Sequence, residues 1–459
     1  MTTECRKIRL ELKLVPMLIY RRARRYLSAL NTSMRASVVI ILMLLPTIGF
    51  TQMQEETRLP QLKTIQLHMF GNQLGYPVLE LNSADRMELH FDDMDANIKN
   101  YSYTFQLCNA DWTPAMASPF DYISGFMQQR ISTYRTSNVA LTRYTHYQAV
   151  LPDRNCAPRV PGNYILKVFL DGDTAKLAFS RRFLVFQNIA LIAADVVQPF
   201  NANYFRTHQK IEFKVNSKNL QVVNAGQQMS VTILQNARWD NAVTQLRPTF
   251  MTNNILQFNT ENEAVFPAGK EWRWLDLRSL RLQSDRVDSG HYYKNSTEIF
   301  VKPTASRSAQ QFNFYGDNDG MYRVETLDNF NPLWQGDYAI VHFTFVPSGN
   351  APYVNKDLYL FGELTHYGQD PEAKMRFNAD KGVYETAITL KQGYYDVGYA
   401  TLDKNDSKKK FSFDETEGNY WETENSYMIL VYYRPLGGRY DQLVGLTRIN
   451  SLTGGLQRN

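Results

Sequence analysis

Tyr101-Ser102-Tyr103-Thr104-Phe105-Gln106-Leu107-Cys108 alternates large apolar residues with small or polar ones. Period two is the signature of a pleated strand with one face turned to a core. Upstream, Lys63-Thr64-Ile65-Gln66-Leu67-His68-Met69-Phe70 alternates likewise and stops at Gly71-Asn72; Met87-Glu88-Leu89-His90-Phe91 does so until Asp92-Asp93. Downstream, a Pro161-Gly162-Asn163 turn precedes Tyr164-Ile165-Leu166-Lys167-Val168-Phe169-Leu170, and Asp171-Gly172-Asp173 closes it as a hairpin signal. Phe183-Leu184-Val185-Phe186 completes a first predicted domain, residues 60–187.

The same reading continues outward. A second predicted domain, 188–301, runs through Ile189–Ile192, Ile211–Val215, Met229–Leu234 and Glu298–Val301. The polar stretch Lys302-Pro303-Thr304-Ala305-Ser306-Arg307-Ser308 suits a linker, with 302–337 as linker and lead-in. A third domain, 338–450, holds Ala339–Phe345, Leu358–Phe361, Tyr384–Leu390 and Tyr427–Tyr433. No segment after residue 52 carries a sustained helical stripe. Short strands at this spacing predict an all-β chain of three immunoglobulin-like or early-set β-sandwich domains in series.

A length of 459 residues agrees with about three domains. Hydrophobic content of 44% and charged content of 21% exclude a disordered scaffold, a polytopic membrane protein and a collagen-like fibre. The aromatic share of 13% leans toward sheet. Residues 1–35 hold nine Lys/Arg against two acids, net +7; with the whole chain at +5, the remainder carries −2. A nucleic-acid binder needs a basic face on its folded part, and none is visible.

Val38–Leu45, preceded by Arg35 and followed by Pro46, Gly49 and Thr51, reads as a secretory signal peptide cleaved before Gln52. Its apolar run falls far short of the roughly 20 residues that span a bilayer. Residues 1–33 do not fit inside such a signal, so Met34 is the expected start of translation. Apart from Cys5, the chain has Cys108 and Cys156, which an exported protein can join in a disulfide or keep as two thiols.

Motifs for chemistry are missing: no phosphate loop, dinucleotide fingerprint, HExxH, GxSxG or CxxC. The seven histidines lie at least 22 residues apart, and His68, His90 and His342 sit in alternating strands where a hydrogen-bonded or exposed imidazole is ordinary. Asp92-Asp93-Met94-Asp95-Ala96-Asn97 and Asp317-Asn318-Asp319-Gly320 invite a calcium reading. Counted from Asp317, however, Met321 and Tyr322 break the EF-hand pattern, and turns are the expected use of both runs. No catalytic, cofactor-binding or metal residue is expected. Cys108-Asn109-Ala110-Asp111-Trp112 and Asn236-Ala237-Arg238-Trp239-Asp240-Asn241 read as strand-end corners, or as a binding surface with an aromatic anchor.

Those two segments also carry a resemblance. With Leu62–Leu67, Leu89–Met94, Tyr144–Tyr147, Pro161–Tyr164, Thr207–Gln209, Gln235–Ala242, Leu358–Thr365 and Leu390–Tyr395, they form an ordered series that resembles the plug protein family of the type IX secretion system. Asn109, where an Asp is expected, and Tyr367, where a Trp is expected, are small departures. The resemblance implies a non-enzymatic periplasmic protein, associated with the inner side of the outer membrane, that closes the translocon barrel from below. Its implied partner is that barrel protein, with no cofactor, nucleic acid or small-molecule substrate, and no contact residue carries over. A competing reading is a glycan-binding protein whose C-terminal domain stacks sugar on Tyr359, Tyr367, Tyr394, Tyr395 and Trp421.

Overall fold

The alternation around Tyr101–Cys108 is a strand, and both of its faces are buried. In the computed structural model, which describes residues 55–407 and 409–453, this strand lies inside the sheet ordered Glu56–Thr57, Leu177–Phe186, Gly162–Leu170, Tyr101–Cys108, Gln129–Ile131. Val78–Glu80 adds in parallel to Leu177–Phe186. A second sheet, ordered Leu62–Met69, Met87–Asp93, Thr145–Leu151, Thr133–Thr136, closes the first sandwich. Leu89, Phe91, Tyr101, Tyr103, Phe105, Tyr147, Tyr164 and Phe183 fill its core, with Phe91 and Tyr147 stacked at 5.1 Å. The hairpin at Asp171-Gly172 forms as expected, with both residues at positive φ, a backbone state that favours Gly and Asp.

The chain is all-β, and among the described residues its α-helices are single turns such as Pro119–Tyr122 and Pro332–Gln335. The strand runs read from sequence are present, but the sheets divide them differently from the predicted boundaries. Met229–Gln235 is buried at every position, so it needs a partner on each side. One partner is Val243–Leu246; the other is Ser426–Tyr433, in register Val231↔Val431, which in turn pairs with Gln442–Asn450. The last two strands therefore belong to the second sandwich, opposite the sheet of Leu191–Val197, His208–Asn216, Ile255–Gln257 and Phe250–Thr252. They do not belong to a C-terminal 338–450 domain.

The third sandwich is inserted between the two parts of the second. One sheet groups Arg273–Asp276, Tyr322–Val324, Lys356–Phe361 and Phe411–Ser412 around Gly393–Asp403. The other runs Val287–Tyr292, Thr297–Val301, Tyr338–Val346, Val383–Lys391, Arg376–Asn378. Strands from 273 to 301 thus leave the predicted second domain, and their apolar residues (Leu275, Val287, Ile299) join the third core. The predicted linker is structured too. Thr304–Ala305 pairs in parallel with Phe345–Val346, and the Arg307 guanidinium meets Glu417 at 2.5 Å. The expected signal peptide, the start at Met34, Cys5 and residues 1–51 lie outside the described residues.

Candidate functional site

The sheet around Met87–Asp93 turns its even-numbered residues away from the first core, and these are polar: Gln66, His68, Glu88, His90, Asp92 and His146. In a free sandwich that face would be wet; here the third sandwich covers it. Asp92, 1% exposed, is the hub. One carboxylate oxygen accepts from His146 Nδ1 at 2.7 Å; the other accepts from the Tyr338 hydroxyl at 2.6 Å and from the buried Lys391 ammonium. Burial alone would raise the Asp92 carboxyl, yet Lys391 and His146 hold it below its ordinary value. The Lys391 ammonium also lies 4.2 Å from the Tyr144 ring centre. Around this hub, Asp337 accepts from the backbone N–H of Leu141 and Thr142, Tyr144 donates to Gly336 O at 2.6 Å, and Gln73 exchanges two hydrogen bonds with Val324.

The opposite face of the first sandwich is apolar and carries the second sandwich. Ile165, Leu184 and Cys108 pack against Leu234, Met428, Leu430 and Tyr432 in one cluster. The two tryptophan segments meet here as corners: Trp112 and Trp239 stand edge to face at 4.8 Å, with the Arg182 guanidinium 4.4 Å from the Trp112 ring. Trp239 donates to Tyr76 at 2.6 Å. Asp111 fixes its turn by accepting from Thr113 N at 2.9 Å. Asn109 accepts from Arg434 at 2.9 Å, and the buried Tyr432 hydroxyl donates to Asn163 at 2.8 Å.

The seam between the second and third sandwiches gathers carboxyls. Asp317, Asp319 and Glu424 bring oxygens within 4.8 Å of one another, with Glu271 and Asp396 nearby. The Asp317 run does make a turn, Asp319 N donating to Asp317 Oδ1 at 2.9 Å. Burial pushes Asp317 up to about 6, Asp396 to about 7 and Glu271 to about 8, so near neutrality Glu271 keeps its proton, Asp396 is about half protonated and Asp317 is mostly ionised. The other acidic run behaves differently. Asp92 and Asp93 extend their strand instead of breaking it, because Lys391 and Lys99 neutralise them, and the turn follows at Met94–Asn97.

Cys108 and Cys156 are both buried and unbonded; they sit in different apolar clusters, which is why no disulfide joins them. Three of the five aromatics of the glycan reading are taken up in packing. Tyr395 is a core residue stacked on Tyr322, Tyr367 packs on Phe361 beneath Arg238, and Tyr359 meets Phe411 edge to face. His342 pairs with Glu298 at 3.0 Å and stacks on Phe300. Sequence reasoning missed the Asp92 hub altogether, because its partners Tyr338 and Lys391 lie 246 and 299 residues away. Among the large apolar side chains exposed on the first sandwich, Met116, Phe120 and Phe126, at 72%, 72% and 66% exposure, lie close in sequence around the turn Pro119–Tyr122 and the strand Ile123–Gly125. Among the described residues no helix is long and apolar enough to cross a membrane.

Residues 62–187, the sandwich gripped on both faces, match the family model for the type 9 secretion system plug protein first domain. The match spans that domain, and it supports a kinship of this chain with the type IX secretion system plug family. A solved structure of a hypothetical protein from Parabacteroides merdae superposes with a TM-score of 0.83 at 29% identity, covering 87% of this chain and all of that one. No curated protein matches the chain.

Proposed function

We propose that this protein closes the periplasmic end of the type IX outer-membrane translocon barrel while no substrate is in transit. The match of residues 62–187 to a plug-protein first domain carries the reading. A barrel wide enough for folded cargo has an aqueous lumen, so at rest it is a hole in the permeability barrier. A stopper must resist deformation, and the interleaving of the three sandwiches favours that. The chain enters the second sandwich, builds the whole third, and returns, while the first is held on two faces.

A stopper must also come off. Its contact then needs moderate area, a polar rim and a few anchors. Met116, Phe120 and Phe126 are the anchors we assign, with the periplasmic rim of the barrel as their occupant. The protein acts here without catalysis or cofactor, as a periplasmic component on the inner side of the outer membrane. Deleting its gene tests the role. Cells should become sensitive to a glycopeptide antibiotic too large for ordinary porins, and the wild-type chain should restore resistance. Unchanged resistance with the barrel still assembled would refute it.

A further inference from the structure

Three imidazoles stack across neighbouring strands on the polar face, His68 on His90 and His90 on His146, each pair with ring centres 5.4 Å apart. A ring nitrogen from each of His68 and His90 and a Glu88 oxygen lie within 4.8 Å of one another. His68 is 4% exposed, and its Nδ1 sits 2.9 Å from the Met69 carbonyl. Only an N–H satisfies a carbonyl, so the proton is on Nδ1 and a lone pair is on Nε2. That Nε2 is buried and has no hydrogen-bond partner.

His90 is oriented by a longer chain. The Asp92 carboxylate is acceptor only, so it takes the Nδ1–H of His146. With that proton on Nδ1, a lone pair on His146 Nε2 can accept from His90 Nδ1, 3.2 Å away. This leaves the His90 lone pair on Nε2, 3.9 Å from Glu88 Oε2. A ring nitrogen of each histidine and a Glu88 oxygen this close together, with the His68 Nε2 lone pair buried and unpartnered, call for a cation.

We infer that His68, Glu88 and His90 form a binding site for a divalent metal ion of the zinc class. Neutral imidazoles with one carboxylate suit Zn²⁺, whereas Ca²⁺ and Mg²⁺ take oxygen ligands. Each donor already has the outer support that metal ligands need. Met69 O holds His68, His146 backed by Asp92 holds His90, and the Gly71 N–H holds Glu88 Oε2 at 3.1 Å. Cross-strand register places His68 opposite Glu88, with His90 on the same face, so the donors stand on paired strands instead of a loop. The Glu88 side chain is 20% exposed, giving the ion a way in and leaving a fourth position to water.

The test is Zn²⁺ titrated into the full chain, carrying no polyhistidine tag, against a chromophoric chelator. One equivalent should bind per chain. Glu88→Gln and His68→Gln should each weaken binding by roughly 100-fold, with circular dichroism unchanged at least for Glu88→Gln, whose side chain is the more exposed of the two. Two results overturn the site. One is a folded wild-type chain that yields all its zinc to the chelator. The other is a folded Glu88→Gln chain with wild-type affinity, which would move the metal to other residues such as the Asp317, Asp319 and Glu424 carboxyls.

Discussion

Asp92 and Lys391 form an ion pair with both side chains 1% exposed, and a buried charge without its partner is costly. Lys391→Met should therefore destabilise the protein by about 3–5 kcal/mol in urea denaturation. Adding Asp92→Asn should recover much of the loss, since the amide oxygen still accepts from His146; an unchanged midpoint in the single variant would contradict the account. The seam carboxyls give a pH dependence of definite sign. Glu271 at about 8 and Asp396 at about 7 lie above their ordinary values, so the folded state keeps protons that the unfolded state has lost. Their contribution is complete below the unfolded values, roughly pH 4, and is lost as pH rises through 7–8. Glu55 at about 2 and the lowered Asp92 act oppositely: their contribution is present above roughly pH 4 and lost in more acidic solution. Urea midpoints should peak near pH 5 and fall on both sides. A midpoint rising steadily from about pH 5 to 8 would contradict the carboxyl assignment.

At the scale of elements, strands were legible and their sheet partners were not. Alternation in Tyr101–Cys108 or Met87–Phe91 reports burial of a face, which is local information. Whether Ser426–Tyr433 pairs with Met229–Gln235 or with a nearer strand depends on contacts some 200 residues apart, and no local pattern encodes it. The three histidines were likewise hidden: their spacing is mute, and only the register of three strands stacks them. The acidic run at Asp92 read as a turn because charge in a strand normally means solvent; its buried lysine partner lies far along the chain. This topology has a consequence. A fragment 338–450 contains two strands of one sandwich and an incomplete set of another. It should show no cooperative thermal transition by circular dichroism; a sharp transition would mean that it is a domain after all.

Over the whole molecule, the matched domain presents an apolar face to the second sandwich and a polar, ion-paired face to the third. Met116→Asp, Phe120→Asp and Phe126→Asp combined should leave the unfolding free energy from urea denaturation within about 0.5 kcal/mol of wild type, because these side chains touch solvent. Capture of the barrel should fall by at least tenfold, as expected on losing two or three anchors. Wild-type capture by the folded triple variant would remove these residues from the interface. The most direct measurement is purification of the protein, tagged after Asn459, from gently solubilised envelopes, with mass spectrometry of what accompanies it. The account predicts a very large outer-membrane barrel in near-equal amount. Recovery of the protein alone, with the barrel present in the same extract, would contradict it.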